Sequence, residues 1–157
     1  MSKFQLTRFL KTLYEFFLVI LQFLIIILHF FQLEFFPKKE IMQVNFIFSF
    51  LGFLLIITSS AMMLIAIKDL GSNLSPFPKP IVNGKLISSG IYRFLRHPMY
   101  YSLILISFGF FITKLTFYHL CLTLSLALII KFKIILEEKY LNIKFRNYFI
   151  YTDKVKY

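Results

Sequence analysis

From Ile41 to Ile67 the chain runs without a single charged residue. A spanning helix needs about 20 mostly apolar residues, so this run is long enough to cross a bilayer with some tilt. In hydrocarbon the backbone must satisfy its own polar groups, and within one segment only a helix does that. A second run, from about Leu10 to Leu33, is interrupted mildly by Gln22, His29 and Gln32. Lys3, Arg8 and Lys11 precede it, and no small-residue cleavage site follows, so it reads as an uncleaved first membrane helix. Hydrophobic residues make up 59% of the chain, against about 45–50% in ordinary globular domains. In 157 residues, the length of a single domain, a water-exposed fold has nowhere to bury that surface.

Between Lys68 and Gly90 the composition changes. Gly71, Pro76, Pro78, Pro80, Gly84 and Gly90 punctuate this stretch, and prolines at that density forbid a regular helix. Long loops of this kind are often functional. A third helix is expected to begin at His97-Pro98, because proline suits the first helical turn, and to run to about Thr113. Lys114 marks a turn, and a fourth helix is expected over Leu115–Leu136. The uncharged cores of these two helices are short, about 15 residues or 22 Å each against about 30 Å of hydrocarbon. Full spans with snorkelling lysines or a re-entrant hairpin both accommodate that length. The stretch from Glu137 to Phe149 places Leu141, Phe145, Tyr148 and Phe149 on one stripe, the pattern of a helix lying in the interface. The expected fold is therefore all-α and polytopic, with about four transmembrane helices and a C-terminal interfacial helix in a single domain over residues 1–157.

The net charge of +11 follows the membrane borders, not one polar face, and no nucleic-acid motif accompanies it. Three cations precede the first run, five (Lys68, Lys79, Lys85, Arg93, Arg96) lie in the proline loop and beyond it, and seven follow from Lys131 onward. Only Lys38, Lys39 and Lys114 remain for the opposite side. The positive-inside rule then places both termini, the proline loop and the C-terminal cluster on the cytoplasmic face. The one cysteine, Cys121, excludes an intramolecular disulfide, and His29, His97 and His119 show no metal-ligand spacing.

Two clusters carry chemistry. In Tyr92-Arg93-Phe94-Leu95-Arg96-His97-Pro98-Met99-Tyr100, ionisable and aromatic groups stand at the threshold of an apolar run, where charge is costly without a purpose. A guanidinium fork suits a carboxylate or phosphate, and a tyrosine face suits a cation or a planar base. Decoration of a cytoplasmic border that touches lipid head groups is the simpler account. The second cluster is Glu137-Glu138, which either pairs with Lys133 or Lys139 or receives a cationic ligand group. Together the clusters supply anion donors, cation acceptors and aromatic faces, a set that fits a zwitterion with a cationic centre and a base, such as S-adenosylmethionine.

Pro76-x-Pro78-x-Pro80, Leu86-Ile87-Ser88-Ser89-Gly90-Ile91-Tyr92-Arg93, Arg96-His97-Pro98-x-Tyr100 and the downstream Glu137-Glu138 with Leu141 and Tyr148 resemble the isoprenylcysteine carboxyl methyltransferase family and the related phospholipid N-methyltransferases. The resemblance covers roughly the C-terminal half, with residues 68–157 carrying the motifs. It implies a membrane methyltransferase that binds S-adenosylmethionine on its cytoplasmic side and takes a lipidic or prenylated substrate from the bilayer. By the same resemblance Tyr92, Arg96, His97, Pro98, Tyr100, Glu137 and Glu138 line the cofactor site, with Lys133 and Arg93 on the substrate side and no metal. Lys133 stands where the family often has arginine, which removes a bidentate fork. Ser102 stands where the family has glycine, and its hydroxyl can bond back to the preceding turn. A phospholipid amine as methyl acceptor, or a non-enzymatic protein whose basic loop binds anionic lipid, are the competing readings.

Overall fold

The computed structural model of the chain describes residues 3–31, 41 and 43–156. Gln32, Leu33, Lys38 and Lys39 lie outside the described residues, so the end of the first run and the basic pair on the opposite side have no structural account. Every regular element is helical among the described residues: α1 (Lys3–Leu28), α2 (Phe46–Leu70), α3 (Pro98–Lys114), α4 (Phe117–Lys144) and α5 (Tyr148–Lys154), with short 3-10 turns at Gly71–Asn73 and Gly90–Arg93. Three helices are long and apolar enough to cross a membrane, and α3 is a shorter apolar helix. At 17 residues α3 measures about 25 Å, short of the hydrocarbon thickness as its sequence implies.

The fourth helix differs from expectation. It does not stop near Leu136 but continues through Glu137 and Glu138 to Lys144, 28 residues in all. The reason is local: no proline or glycine follows Gly109, and charge by itself does not end a helix. The glutamate pair therefore stands on α4, and the separate interfacial helix shrinks to the seven residues of α5. The α3–α4 turn is tight. Leu115 takes the left-handed conformation (φ 45°) and donates its N–H to Phe111 O at 2.7 Å, while the Thr116 side chain caps α4 through His119 N–H.

The packing is inverted relative to a protein folded in water. Large apolar side chains such as Ile20, Phe53, Leu64 and Leu124 point outward, while Glu15, Gln22, His29, Ser102, Ser107, His119, Thr123 and Lys133 are buried. The buried polar groups find one another, as they must in a low dielectric. His29 Nε2 meets Ser107 Oγ at 2.6 Å, and Ser107 Oγ donates to Thr123 Oγ1 at 3.0 Å, linking α3 to α4 and to the end of α1. Cys121 is half-buried and free on α4.

Helices α2 and α3 cross at two glycines. A Cβ on Gly52 would fall 2.8 Å from Gly109 O, and one on Gly109 would fall 2.9 Å from Gly52 O, so no side chain fits at either position. Of the small-residue patch Thr58–Ala61, Ser59 is buried, while Thr58 and Ala61 face outward. Ser102, wholly buried, donates its hydroxyl to Pro98 O at 2.9 Å, the back-bond its spacing allows. The first turn of α3 is thereby tied to the residue that opens it.

Candidate functional site

The end of α2, the start of α3 and the C-terminal third of α4 converge beneath the proline loop. Asp69, near the end of α2, accepts the Ile91 N–H at 2.8 Å and so fixes the 3-10 turn at Gly90–Arg93. Gly90 makes this possible: its φ of 60° is left-handed, and a Cβ there would collide with the Asp69 carboxyl. The turn buries Tyr92, whose carbonyl accepts the Tyr151 hydroxyl of α5 at 2.6 Å. It leaves Arg93 exposed.

Glu138 is the hub of the ionic core. Its Oε1 accepts from His97 Nε2 at 2.7 Å and from Arg96 Nη1 at 3.1 Å, so a single carboxylate oxygen binds α4 to both residues that precede α3. Arg96 Nη2 donates to Lys156 O at 2.8 Å, which draws in the chain beyond α5. His97 is buried and stacks on the Tyr100 ring at a centroid distance of 5.8 Å. The Tyr100 hydroxyl lies beside the Glu137 carboxyl. Pro98 is fully buried at the start of α3.

Lys133 lies one helical turn before Glu137 and is almost wholly buried (1% exposed). Its Nζ donates to Gln22 Oε1 of α1 at 2.5 Å and to Pro76 O of the proline loop at 2.9 Å, and stands 5.3 Å from the centroid of the Tyr100 ring. A second lysine of α4, Lys144, donates to Ile81 O. Two cations on one helix thus hold two points of the loop, and Phe77 adds a ring contact with Phe16 of α1. Within the loop, Asn73 Oδ1 accepts the Lys85 N–H at 2.9 Å.

Between the loop, α4 and α5 lies a cleft, partly open to solvent. Of the residues singled out from sequence, Tyr92, Arg96 and Glu137 line it; Glu138, His97, Tyr100 and Pro98 form the layer behind, and Lys133 is anchored at the base of the loop. Tyr148 and Tyr151 complete the wall. Burial first, and the Glu137 carboxylate second, push the Tyr92 phenol above its ordinary range. Burial, followed by the neighbouring Glu138 carboxylate, does the same for Tyr148, and Tyr151 is pushed up to about 12. All three phenols are therefore neutral hydrogen-bond donors at physiological pH.

Among the described residues, Arg96 Nε is a buried donor of this cleft without a hydrogen-bond partner, while the Tyr148 hydroxyl lies beside the Glu138 carboxyl. A buried donor without an acceptor costs about 1–3 kcal/mol, so Arg96 Nε is available to an acceptor that arrives with a ligand. Glu137 adds an acceptor for a cationic or hydroxyl-bearing group. The set fits a zwitterion. No group of three or more potential metal ligands occurs among the described residues. Sequence reasoning missed Tyr151, Asp69 and Lys144, which belong to no motif and act through long-range contacts.

No curated protein and no solved structure matches the chain. A family model does, over residues 47–148, close to two-thirds of the chain. The match begins at the start of α2, upstream of the proline motif, and ends at Tyr148 in the cleft wall. It therefore takes in the glycine crossing, the loop, the Arg-His-Pro segment and the glutamate pair. The family is related to the isoprenylcysteine carboxyl methyltransferases. On this match, with its apolar helices and the site they frame, the chain belongs to the phospholipid methyltransferase family, whose members are membrane methyltransferases.

Proposed function

We propose that this protein is an S-adenosylmethionine-dependent methyltransferase acting on a lipidic substrate, and that the cofactor lies in the cleft between the proline loop, α4 and α5. The observation that carries this reading is the lining of that cleft, which brings together the Arg96 guanidinium, the phenols of Tyr92, Tyr148 and Tyr151, and the Glu137 carboxylate. The donors suit the carboxylate of an amino-acid moiety and Glu137 suits its ammonium, while the tyrosine rings suit a planar base. When bound, the cofactor supplies an electrophilic methyl group. The chain's own task is to hold the cofactor, to exclude water and to align the acceptor. Lys133 and Lys144 serve that task by fixing the loop over the cleft.

Of the lipid acceptors, an amine-bearing phospholipid is favoured by one observation. The Lys133 ammonium is committed to Gln22 and to Pro76 O, so it presents no free cation to a substrate carboxylate. An amine must lose a proton before it attacks. The charge bias supports a cytoplasmic position for the cleft and both termini. Arg93, exposed outside the cleft, fits a role in meeting lipid head groups.

The test is equilibrium binding of labelled S-adenosylmethionine to the purified protein in detergent, followed by methyl transfer to a panel of phosphatidylethanolamine and prenylcysteine acceptors. Saturable binding is expected, weakened about tenfold or more in Glu137→Gln and Arg96→Gln, each of which removes a charged partner. Absence of saturable binding by the wild-type protein overturns the proposal. Undiminished binding in both variants overturns the site assignment.

A further inference from the structure

Beyond α4 the chain turns back on the candidate site and is pinned there. α5 ends at Lys154, and the backbone of Val155 is extended (φ −118°, ψ 100°). The Val155 N–H still donates to Tyr151 O at 2.9 Å, so the helix sets the direction in which the tail leaves it. Val155 is 6% exposed and packs with Tyr148 and Tyr151, and Leu86 of the proline loop and Leu141 and Phe145 at the end of α4 pack against the same cluster. Its neighbours Lys154 and Lys156 are exposed. One buried apolar side chain between two exposed lysines therefore fixes the tail at a single point. Val155 and Lys156 lie beyond residues 47–148, which the family model matches, and neither lines the cleft.

One residue past that pin, Lys156 O accepts from Arg96 Nη2 at 2.8 Å. Glu138 Oε1 takes Arg96 Nη1 at 3.1 Å. A guanidinium is a rigid planar fork of three nitrogens. Held by Glu138 alone, it is free to pivot about that one contact. Held also by the tail, it has partners on two separate elements, and its plane is set. The third nitrogen, Nε, is buried and has no partner, so it is the donor the site keeps for a ligand. Where Nε points is decided by what the other two nitrogens hold. The contribution of Lys156 is its backbone carbonyl, which no side-chain motif records, and the side chain that delivers this carbonyl is Val155.

We infer that Val155 and Lys156 are positioning residues of the cofactor site: the tail beyond α5 sets the cofactor's affinity by holding the Arg96 guanidinium in the orientation that its carboxylate requires. The inference rests on the proposed function, which assigns that guanidinium to the cofactor. A segment that touches no cofactor thus governs its binding, because a displacement of about 1 Å is enough to spoil an aligned polar contact. A merely structural tail would change stability and leave the state of Arg96 and the affinity alone.

The experiment takes two readouts on the full chain in detergent: equilibrium binding of labelled S-adenosylmethionine, and nitrogen–proton NMR of the arginine guanidinium groups. In the wild-type protein the Arg96 Nη protons are expected to give separate signals, because partners on two elements hinder rotation of the group; loss of those signals in Arg96→Lys identifies them. Val155→Asp places a charge in the apolar cluster and expels the tail. The Arg96 signals are then expected to merge, and the Kd for S-adenosylmethionine to rise about tenfold, the worth of one charge-assisted hydrogen bond. Val155→Ile keeps the pin and is expected to match wild type in both readouts, as is Lys154→Ala at the exposed end of α5. Merged Arg96 signals in the wild-type protein overturn the inference. So does an unchanged Kd in Val155→Asp, or a raised Kd with the Arg96 signals still separate. If Val155→Asp does not fold, the uncharged Val155→Ser decides by the same two readouts, with a rise in Kd of about threefold expected and no rise overturning the inference. A wild-type protein that binds no S-adenosylmethionine overturns the proposed function and this inference with it, whereas wild-type binding that is indifferent to loss of the pin overturns this inference alone.

Discussion

Removing the Glu138 carboxylate tests the ionic core directly. Its Oε1 takes two contacts, from His97 Nε2 at 2.7 Å and Arg96 Nη1 at 3.1 Å. The side chains of Glu138 and Arg96 are 21% and 24% exposed, and that of His97 is 5% exposed, so solvent replaces little of what is lost. A hydrogen bond to a charged group contributes about 1.5–3 kcal/mol. Glu138→Gln keeps one acceptor oxygen for one of the two donors and loses the charge, so its cost is about 2 kcal/mol. Glu138→Ala also leaves the buried His97 nitrogen without an acceptor. A broken buried pair costs about 3–5 kcal/mol, and the partial exposure of Arg96 brings the expectation to about 3 kcal/mol. For a chain of this size each kcal/mol moves Tm by about 2–4 °C, so Tm should fall by about 4–8 °C for Gln and by about 6–12 °C for Ala. The assay is thermal unfolding in detergent followed by circular dichroism, completed as a cycle with His97→Ala. Because both side chains share one contact, the double variant should lose at least about 1 kcal/mol less than the sum of the single losses. Shifts below about 1 °C in both Glu138 variants, or strict additivity in the cycle, would refute the assignment of Glu138 as the group that holds α4 to the start of α3.

Gly109→Leu should lower Tm by the equivalent of about 1–3 kcal/mol, because the side chain must displace Ile56 and the Gly52 backbone; an unchanged melting curve would contradict the close helix crossing. Gly90→Ala combines a left-handed φ, costing about 1–2 kcal/mol, with displacement of Asp69 from the Ile91 N–H, and is expected to destabilise by about 2–3 kcal/mol in the same assay. Alkaline pH should destabilise the fold in a defined window. The Tyr151 phenol ionises at about 12 in the folded protein against 10.0 when free, so the folded state favours its protonated form. That contribution is fully present below pH 10 and is lost as pH rises through about 12. Tyr151→Phe should remove one late-ionising phenol from a spectrophotometric titration and cost about 1 kcal/mol for its bond to Tyr92 O; a titration curve identical to wild type would count against the buried placement.

The spans were legible because hydropathy acts residue by residue. The uncharged Ile41–Ile67 run announces α2, and Pro98 fixes the start of α3 to the residue. The end of α4 was not legible in the same way. Charged residues after Ile130 look like a membrane border, yet charge by itself does not end a helix. Lys133 finds Gln22 and the Pro76 carbonyl in the interior instead of snorkelling outward, and that depends on what α1 and the loop place opposite it, which no local pattern records. The motif residues of the candidate site were identifiable as a group, but their division was not. Glu137 and Glu138 are adjacent in sequence and point about 100° apart on a helix, so one lines the cleft while the other is consumed by Arg96 and His97. Glu15 falls within an apolar run and carries no motif, and the bond it accepts from Tyr140 of α4 appears only in the fold.

These placements give α4 a common role. Along its C-terminal half the helix presents Glu137, Leu141 and Lys144 to the cleft, Lys133 to the bundle interior and the loop, and Tyr140 to Glu15 of α1. A helix is the element that can do this, because side chains one residue apart diverge while those three or four apart share a face. The unbroken continuation of α4 past the apolar core is therefore what carries its polar residues to the cleft and the loop. A helix that ended near Leu136 would leave Glu138 unable to bind Arg96 and His97, and Lys144 unable to hold Ile81. The proline loop would then keep Lys133 as its single lysine anchor. The length of α4 and the ionic core are one structural fact, and the cleft exists because both hold.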